Sequence, residues 1–577
     1  FWWAHFARLA ATAEDWEHDG EMVVFPAGSI DVIADWHVPE GKRSHQRLLT
    51  AVVDVPGSFK LSAGECHTIY DAPLPAAVKQ PSNSDRGYRG TGRILELEPD
   101  GDQLRVTFTE GLPGGLSVEP GPEHAALPVA LSAGSPPPIG KLAAAIFAIA
   151  ADALDLFGEL RPQPAIDLLR RLPPRLAAGG GLPPVADHDF ATAITAAVQA
   201  LDRSYLAVQG PPGTGKTTTG AAVIKRLVDQ GWKVGVVAQG HKTVEAMMDK
   251  VIDAGVDPQQ VVKRAGGGGD HRGQKLSDAK LQAAVLQPGV GCLIGGTKWD
   301  FVNENRVPAG RLDLLVIDEA GQFALADTIA VSQASSRLLL LGDPQQLPQV
   351  SQARHPAPVQ QAALDWLSDG HDTLPPAFGY FLDTTYRMRP ELAAVASRLS
   401  YDHRLDADPC TAKRVLDGIE PGLHTVLVAH DSNRSASVEE ARAVLRLVVD
   451  VVGRTWTTED GDRPLEPEDV LVVAPYNAQV NLIRTVLDAA ELEDVRVGTV
   501  DKFQGQEAVV AIISMASSSA SSGRGASFVL SRNRLNVALS RAQHTTFLVH
   551  SPQLTDVIPG STHGLAQLGA FLGVSRA

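Results

Sequence analysis

A glycine-rich segment near the middle of the chain combines residue types and spacing that suit an anion-binding loop. Residues 210–217 are Gly-Pro-Pro-Gly-Thr-Gly-Lys-Thr and follow the apolar run 205–209, so a strand, a loop and a helix are expected in that order. Glycine has no Cβ and tolerates positive φ, which lets the backbone wrap closely around phosphate oxygens. The loop N–H groups and the helix N-terminus then face the anion. The segment therefore predicts a nucleoside triphosphate site.

Individual side chains of this segment have distinct expected roles. Lys216 adds a positive charge for the β- and γ-phosphates, and the Thr217 hydroxyl is a ligand for Mg²⁺. The expected nucleotide-binding residues are Gly210, Pro211, Pro212, Gly213, Thr214, Gly215, Lys216, Thr217 and Thr218.

A second candidate segment is acidic. Asp318 and Glu319 come directly after the predicted buried strand at 312–317. A carboxylate at such a strand end can hold Mg²⁺ directly or through water. A neighbouring carboxylate can orient or deprotonate the attacking water. A strand that ends in Asp-Glu is common by itself, but downstream of Lys216 the pair indicates hydrolysis.

Amide and guanidinium groups supply the rest of the candidate chemistry. Gln346 lies in the Leu-Gly-Asp-Pro-Gln-Gln-Leu-Pro segment, where an amide can sense a γ-phosphate; the alternative is a Pro-rich turn. Arg387 lies in Thr-Tyr-Arg-Met-Arg-Pro, and Arg534 and Arg541 are seven residues apart on one face of a predicted helix. Arginine neutralises charge that develops on a γ-phosphate, although each arginine taken singly also fits a surface ion pair.

Composition sets limits on the class of protein. The 577 residues are 44% hydrophobic and 20% charged, which predicts three to four globular domains. The net charge of −16 argues against a generally basic coat that binds nucleic acid, but not against a local basic groove. The longest apolar stretch, 142–154, is too short to span a bilayer, so no membrane is expected. The chain starts at Phe1 without a basic-then-apolar leader, which we interpret as a piece of a longer protein with no secretory signal.

The three cysteines, Cys66, Cys292 and Cys410, lie far apart and form no Cys-x-x-Cys pair. A zinc or iron–sulfur site is therefore not expected in this segment. Reduced thiols in a cytoplasmic protein are the favoured interpretation.

Changes in composition divide the chain into five parts. We predict an N-terminal aromatic helix or junction, a β-rich accessory domain with a hairpin at Pro99-Asp100-Gly101-Asp102, a helical stalk and linker, and two α/β domains with parallel sheets. The aromatic segment fits a helix docked on the body better than a ligand platform. The boundaries are 1–20, 21–138, 139–186, 187–375 and 376–577.

Six motifs in a fixed order resemble those of superfamily 1 helicases. They are GPPGTGKT, DEAGQ, GDPQQLP, TYRMRP, VGTVDKFQGQE and NRLNVALSRA, within about 187–554. The class resembled is superfamily 1B, which includes the eukaryotic nonsense-mediated-decay helicase and the replication helicase–nuclease. The resemblance implies two tandem RecA-like P-loop domains, with a small β-barrel on a helical stalk before or within the first.

The resemblance also implies ATP and Mg²⁺ as cofactors and a role for each matching residue. Phosphate and Mg²⁺ would be bound by Lys216 and Thr217, with Asp318 as a further Mg²⁺ ligand and Glu319 as general base. Gln346 would link the γ-phosphate to the inter-domain cleft, Arg387 and Arg541 would be arginine fingers of the second domain, Tyr386 would stack on the base, and Glu507 would face the ribose.

One departure from the family concerns the base. The family usually carries an adenine-reading Gln upstream of the phosphate loop, but the matching neighbourhood here is Thr192-Ala193-Ile194, and Gln199 lies too close to the loop. Selectivity for ATP is therefore less well specified than phosphate binding.

In the family, strand-end loops on the other sheet edge bind nucleic acid. Lys and Thr suit backbone phosphates, and Trp and Tyr can stack on bases; a solvated loop or a core aromatic is the alternative at each position. The candidate residues are His241, Lys242, Thr243, Thr297, Lys298, Trp299, Tyr476 and Thr499.

The function implied is an ATP-dependent helicase or translocase that moves 5′→3′ on single-stranded nucleic acid. DNA is favoured because the opening Phe-Trp-Trp-Ala-His-Phe resembles the junction of bacterial proteins in which a RecB-like nuclease precedes this helicase; such a nuclease, linked or associated, is the expected partner. The alternatives are an RNA helicase and a nucleotide-gated clamp or remodelling ATPase that separates no strands. A kinase or GTPase would not explain the paired arginine motifs.

Overall fold

The first of the two units into which the chain divides, Phe1–Pro138, folds as an antiparallel sheet. The structure, a computed structural model, describes residues 7–8, 11, 15–16, 19–40, 44–54, 61–71, 87–100, 103–112, 120–121, 124–134, 139–154, 160–266, 268–349, 355–503, 505–519, 526–556 and 558–575. Most of the predicted aromatic helix or junction at 1–20, including Trp2 and Trp3, lies outside the described residues. No helix of the described ranges is long and apolar enough to cross a membrane.

Strand pairing in this unit confirms the predicted hairpin. β5 and β6 pair from Arg93 with Thr109 to Asp100 with Gln103, while β3 alternates between half-buried and buried residues, as a strand with one face on a core does. The strands described here are β1 (Met22–Val24), β2 (Ile30–His37), β3 (Gln46–Val53), β4 (Gly64–Tyr70), β5 (Gly87–Asp100), β6 (Gln103–Gly111) and β7 (Ala130–Ala133).

The sheet of the first unit is half-barrel-like, in agreement with the predicted β-barrel-like accessory domain. The pairing order is β1-β7-β4-β5-β6-β3-β2, and within the described residues no pairing joins the two edge strands, β1 and β2. Alternation of apolar residues determines which face of a strand is buried. It does not determine whether the two edges of the sheet meet, which depends on strand tilt and stagger.

The second unit, Ile139–Ala577, begins with helices where a stalk was predicted and continues into a parallel sheet. The stalk helices are α1 (Gly140–Leu154) and α2 (Pro164–Leu169). The sheet strands are β8 (Tyr205–Gln209), β9 (Lys233–Ala238), β10 (Val261–Arg264), β11 (Gln274–Leu276), β12 (Cys292–Thr297), β13 (Leu314–Ile317), β14 (Leu338–Gly342) and β15 (Gly379–Phe381).

This first parallel sheet has the order β11-β10-β12-β9-β13-β14-β8-β15. The strands β8, β13 and β14 are buried throughout because helices cover both faces. Their carboxyl ends lie at one edge, where the loops that follow can share a ligand site. The helices are α3 (Phe190–Ala200), α4 (Lys216–Asp229), α5 (His241–Asp253), α6 (Asp278–Leu286), α7 (Lys298–Phe301), α8 (Leu325–Ser332) and α9 (Ala363–Ser368).

A second parallel sheet, of order β19-β25-β24-β22-β23, follows. The remaining strands are β16 (Thr384–Thr385), β17 (Asp406–Ala407), β18 (Val415–Leu416), β19 (Gly422–Leu427), β20 (Thr455–Thr458), β21 (Gly461–Pro464), β22 (Val470–Ala474), β23 (Arg496–Thr499), β24 (Ala508–Ser514) and β25 (Ala542–His550). The helices are α10 (Pro390–Ser400), α11 (Val438–Val451), α12 (Asn477–Asp488), α13 (Ala526–Val529), α14 (Arg532–Leu539) and α15 (Thr562–Ser575).

The two parallel sheets confirm the predicted α/β fold class with tandem RecA-like domains. The first sheet continues beyond residue 375, since β15 pairs with β8 through Gly379, Tyr380 and Phe381. The chain therefore leaves the first sheet only a few residues before the Thr-Tyr-Arg-Met-Arg-Pro motif.

Candidate nucleotide and nucleic-acid sites

The glycine loop follows β8 and is pressed against the segment 385–387. Gly213 and Gly215 have φ of 76° and 74°, a region that disfavours residues with a Cβ. A Cβ at Gly213 would also lie 2.4 Å from Arg387 Cβ and 2.5 Å from Thr385 Oγ1. Tyr386 N donates to the Gly213 carbonyl at 2.8 Å. Glycine is thus required at position 213 by conformation and by close approach.

The candidate phosphate-binding residue Lys216 is paired with the candidate base Glu319. Lys216 Nζ lies 3.1 Å from Glu319 Oε1. Burial lowers the pKa of Lys216, but the charges of Glu319 and Asp318 outweigh it, and the pKa is raised overall. The ammonium group is therefore fully charged and has a carboxylate partner that a triphosphate would replace.

Asp318 and Thr217 offer the donor set that Mg²⁺ prefers. Asp318 is 3% exposed, and burial raises the pKa of its carboxyl to about 6, against the opposing charge of Lys216. Thr217 is in the first turn of α4 and lines a cavity beside the glycine loop, whose lining residues do not include Asp318. A carboxylate and a hydroxyl provide hard oxygen ligands, and Mg²⁺ usually completes its shell with phosphate oxygens and water. The residues present therefore fit a Mg²⁺ ion bound together with a nucleotide.

A cavity of about 530 Å³ brings the candidate nucleotide residues of both sheets together. Its size suits a small-molecule ligand. The predicted residues that line it are Gly210, Pro211, Pro212, Gly213, Thr214, Gly215, Lys216, Thr217, Thr218, Glu319, Gln346, Tyr386, Arg387, Glu507 and Arg541.

The two candidate arginine fingers are held differently. Arg541 is 2% exposed and donates to the carbonyls of Val537 and Gln506 at 2.9 and 3.1 Å. Burial, then the charge of Arg387, lowers the pKa of Arg541 to about 9, which leaves it charged at neutral pH. Arg387 Nε is 2.7 Å from Glu507 Oε2. Two cations beside one cavity favour a polyanionic ligand.

The prediction that Arg534 and Arg541 share one face of a helix is wrong. Helix α14 ends at Leu539, and Arg541 lies in the turn before β25. Arg534 instead lies over the Phe528 ring at 4.4 Å and pairs with Asp501 at 3.2 Å. The seven-residue spacing has meaning only within a continuous helix, and this one stops too early.

Four cavity residues were missed by the sequence analysis: Gly505 lies within a motif but was not selected, and the other three lie outside the motifs. Arg414 donates to the backbone carbonyls of Tyr386 and Arg387 and so supports the segment that contacts the glycine loop. Gln543 donates to Glu507 Oε1 at 3.2 Å. Lys250, in the last turn of α5, also lines the cavity. No spacing rule in the sequence connects these last three positions to the phosphate loop.

A second cavity of about 460 Å³ adjoins the glycine loop and is the candidate base site. It is lined by Phe190 and Tyr386, and Tyr386 is 51% exposed. Thr192, in the neighbourhood where the family has its Gln, donates its hydroxyl to Asp189 and accepts from Arg226 at 2.8 Å. The Thr192 side chain is thus engaged with the N-cap residue of its own helix and with Arg226 of α4, and it does not line the cavity.

We expect weak discrimination between nucleobases at this site. Stacking on an aromatic ring accepts every base because every base has a π-face, whereas adenine is read by a paired amide donor and acceptor. The kcat/KM values for ATP, GTP, CTP and UTP should therefore lie within about tenfold of one another. A preference for ATP of about a hundredfold or more would contradict this.

The candidate nucleic-acid residues form two groups, one for each sheet. In the first sheet His241 begins α5 directly after β9, Thr297 ends the neighbouring strand β12, and Lys298 and Trp299 begin α7. In the second sheet Tyr476 follows β22, and Thr499 ends β23, the strand beside it. Neighbouring parallel strands end at the same edge, so each group shares one surface.

Only some of these side chains face solvent. Lys242 is exposed and His241 and Thr243 are half-buried, whereas Lys298 pairs with Asp327 at 2.7 Å. Thr297 donates through its backbone N and its hydroxyl to Asp300. Trp299 packs partly on the core, and Tyr476 lies beside Phe528 with ring centroids 5.5 Å apart. Phe528 is an aromatic that the sequence analysis did not select.

Comparisons with known proteins match both parallel-sheet domains. Profiles of two families, each described as an AAA domain, match residues 191–366 and 364–553. The DNA replication ATP-dependent helicase/nuclease DNA2 of Gallus gallus is 25% identical over 375 residues, which cover 60% of this chain and 35% of that protein. The DNA polymerase alpha-associated DNA helicase A of Schizosaccharomyces pombe is 24% identical over 402 residues, or 58% of this chain and 59% of that protein.

Further matches extend the same pattern. The DNA replication ATP-dependent helicase/nuclease JHS1 of Arabidopsis thaliana is 25% identical over 383 residues, 62% of this chain and 28% of that protein. This chain therefore spans roughly a third of the length of the helicase/nuclease relatives. A solved arterivirus nonstructural protein 10 (helicase) with DNA overlaps 63% of each chain at 17% identity and a TM-score of 0.34, a value too low to establish a common fold.

Together with these matches, the fold and the shared cavity define a class, the P-loop ATPases with two tandem RecA-like domains. Within that class, the order of the motifs and the similarity to helicase relatives support a superfamily 1 helicase.

Proposed function

We propose that this chain is an ATP-dependent helicase that moves 5′→3′ on single-stranded DNA. The observation that carries the proposal is the composition of the nucleotide cavity, which combines the glycine loop and Glu319 after strands of the first sheet with Arg541 before a strand of the second. A nucleotide bound there touches both domains. Its hydrolysis changes the contacts between them, which is the requirement for a motor that opens and closes.

In this proposal the hydrolytic residues exchange partners when ATP binds. Lys216 leaves Glu319 for the β- and γ-phosphates, and Glu319 becomes available to accept a proton from water. The water oxygen attacks the γ-phosphorus and ADP leaves. Arg387 and Arg541 neutralise the charge on the transferred group, and Mg²⁺ held by Thr217 and Asp318 would screen the phosphate oxygens. Gln346 senses the γ-phosphate, Tyr386 stacks on the base, and Glu507 faces the ribose.

DNA is proposed over RNA on the names of the relatives, which include DNA helicases. Discrimination between the two depends on contacts with the 2′-OH. A RecB-like nuclease as a linked or associated partner is proposed on the opening aromatic segment and on the helicase/nuclease names of relatives.

The function is tested by ATP turnover and strand displacement on matched substrates. Single-stranded DNA should stimulate turnover more than RNA of the same sequence, across a range of salt concentrations. Duplexes with a 5′ tail should be unwound, and duplexes with only a 3′ tail should not. Unwinding only from 3′ tails would exclude the proposed direction.

A nucleotide-gated clamp is the second candidate, and the charge distribution favours it. The chain has a net charge of −16, and Lys298 at the candidate interface is already paired with Asp327. Such a clamp would hydrolyse ATP in the presence of nucleic acid without separating strands. Stimulated turnover with no strand displacement would therefore support the clamp over the helicase.

Lys242 offers a direct test of the proposed nucleic-acid surface. Replacing it with alanine should weaken binding to every single-stranded sequence alike and reduce the slope of log K against log salt by about one. Lys225→Ala is the matched control, because Lys225 lies against Gly255 beyond the other end of α5. An equal loss of affinity for single-stranded nucleic acid in the two variants would show that Lys242 does not belong to the binding surface.

A further inference from the structure

A buried hydrogen-bond network links the loop after β14 to the second domain. Its centre is Asp343, which is 1% exposed. One carboxylate oxygen accepts from Gln209 Nε2 at 3.2 Å and from Gln345 N at 3.1 Å. The other accepts from Gln346 Nε2 at 3.1 Å and from the Tyr401 hydroxyl at 2.8 Å. A buried carboxylate is tolerated only when its oxygens are satisfied by donors, and Asp343 has two donors on each oxygen.

Tyr401 carries the network into the second domain. It follows α10 directly and is fully buried. Its oxygen donates to Asp343 and accepts from Asn536 Nδ2 at 2.8 Å. Burial raises the pKa of Tyr401 well above its usual value, and the charge of Asp343 raises it further, so the hydroxyl keeps its proton at neutral pH.

Helix α14 holds the same loop through its polar face. Asn536 Nδ2 also donates to the Gln345 carbonyl at 3.0 Å. One turn earlier, Asn533 Nδ2 donates to the carbonyls of Pro344 and Gln346 at 3.0 and 2.6 Å. Arg541 lies two residues after the end of this helix. A displacement of the loop 344–346 would therefore shift helix α14, which precedes Arg541 in the chain.

Gln346 connects this network to the nucleotide. Its side chain lines the phosphate cavity while its amide nitrogen donates to Asp343. If that amide turns toward a γ-phosphate, Tyr401 becomes the remaining side-chain donor to this oxygen of Asp343. The Asp343–Tyr401–Asn536 chain then holds the loop against α14 while Gln346 is engaged elsewhere.

We propose that Tyr401 is a positioning residue that couples occupancy of the phosphate cavity to helix α14 and, through it, to Arg541. The inference rests on the proposed ATPase function. Tyr401 would then affect the rate of ATP hydrolysis although its side chain does not line the nucleotide cavity.

Tyr401→Phe tests the inference by removing only the hydroxyl. We expect kcat of the DNA-stimulated ATPase to fall about tenfold, with KM for ATP within about twofold of wild type, because the interaction matters in the closed, reacting state and not in binding. Tyr205→Phe is the matched control: Tyr205 is equally buried, and its hydroxyl donates to the Leu172 carbonyl at 2.7 Å outside this network. An unchanged kcat in Tyr401→Phe, or equal losses in both variants, would overturn the proposal.

A double-mutant cycle of Tyr401→Phe with Gln346→Ala tests whether Tyr401 acts through Gln346 or only stabilises the surrounding structure. If Tyr401 acts through Gln346, the double variant should be no slower than the slower single variant. Losses that multiply independently would contradict the coupling. Should Tyr401→Phe fail to fold, Asn536→Ala removes the same link from the helix side and should give the same split between kcat and KM; a wild-type kcat there would equally overturn the proposal.

The wild-type protein distinguishes the two levels of inference. Absence of DNA-stimulated ATP turnover in wild type would reject the proposed function itself. An active wild type with an equally active Tyr401→Phe would reject only the role of Tyr401.

Discussion

Replacing Glu319 with glutamine should abolish ATP turnover while nucleotide binding is retained. The change keeps the shape of the side chain but removes its ability to accept a proton from water, and loss of a general base typically lowers kcat by about 10² to 10⁴-fold. Glu319 also holds Lys216 at 3.1 Å, so the neutral amide should release the ammonium group and leave ATP affinity equal to or tighter than that of wild type. Single-turnover hydrolysis and equilibrium binding measure the two effects separately.

Two companion variants define what the Glu319 result means. Lys216→Ala should lose both binding and turnover, since its charge is used for the phosphates in the ground state as well. Glu304→Gln, at an exposed position of the same domain, removes one negative charge without touching the cavity and should leave turnover unchanged. Retention of DNA-stimulated turnover in Glu319→Gln would exclude Glu319 as the base.

Arg541→Lys should lower kcat by about a thousandfold with little change in KM. An arginine finger contributes roughly 10³ to 10⁵ in rate, and lysine keeps the charge but lacks the planar fork that contacts two phosphate oxygens at once. Lysine is preferred to alanine because Arg541 is buried and donates to three backbone carbonyls, so that truncation would also destabilise the turn.

Arg534→Ala is the control for Arg541. Arg534 is seven residues earlier, but it pairs with Asp501 and stacks on Phe528 outside the nucleotide cavity. Its loss should leave the basal ATPase near wild type. A melting temperature for Arg541→Lys within a few degrees of wild type would confirm that the loss is chemical, and a wild-type kcat would remove Arg541 from the catalytic set.

The sequence predicted the fold class because the strands that end in motifs are buried on both faces. β8, β13 and β14 are continuous apolar runs followed by glycine or acidic residues, and that combination is visible without coordinates. The sequence analysis places Thr297 in a strand-end loop, whereas in the structure it is the last residue of β12, whose residues Gly295, Gly296 and Thr297 are all buried in the sheet. Whether the edge strands of the N-terminal sheet pair depends on long-range contacts that no local pattern encodes, and within the described residues β1 and β2 are not paired.

For the site, motif order was informative about which residues line the cavity but not about how they are held. It did not predict that helix α14 stops before Arg541, nor that Lys298 is paired with Asp327. Arg414, Gln543 and Lys250 were inaccessible to sequence reasoning because they reach the cavity by tertiary packing alone. The assigned roles of the individual site residues stay predictions until the variants above are measured.

The hydrogen bond from Tyr386 N to the Gly213 carbonyl has a mechanical consequence. With Thr385 Oγ1 donating to the Pro212 carbonyl at 3.0 Å, it fastens the backbone beside Arg387 to the glycine loop of the first domain. Arg541 belongs to the turn that enters β25 of the second sheet, and the carbonyl of the preceding Ser540 accepts from Arg387 Nη1 at 3.0 Å. Arg387 also pairs with Glu507 of the second domain. Separation of the two domains would therefore have to break either the bonds of this segment to the glycine loop or those of Arg387 to Ser540 and Glu507.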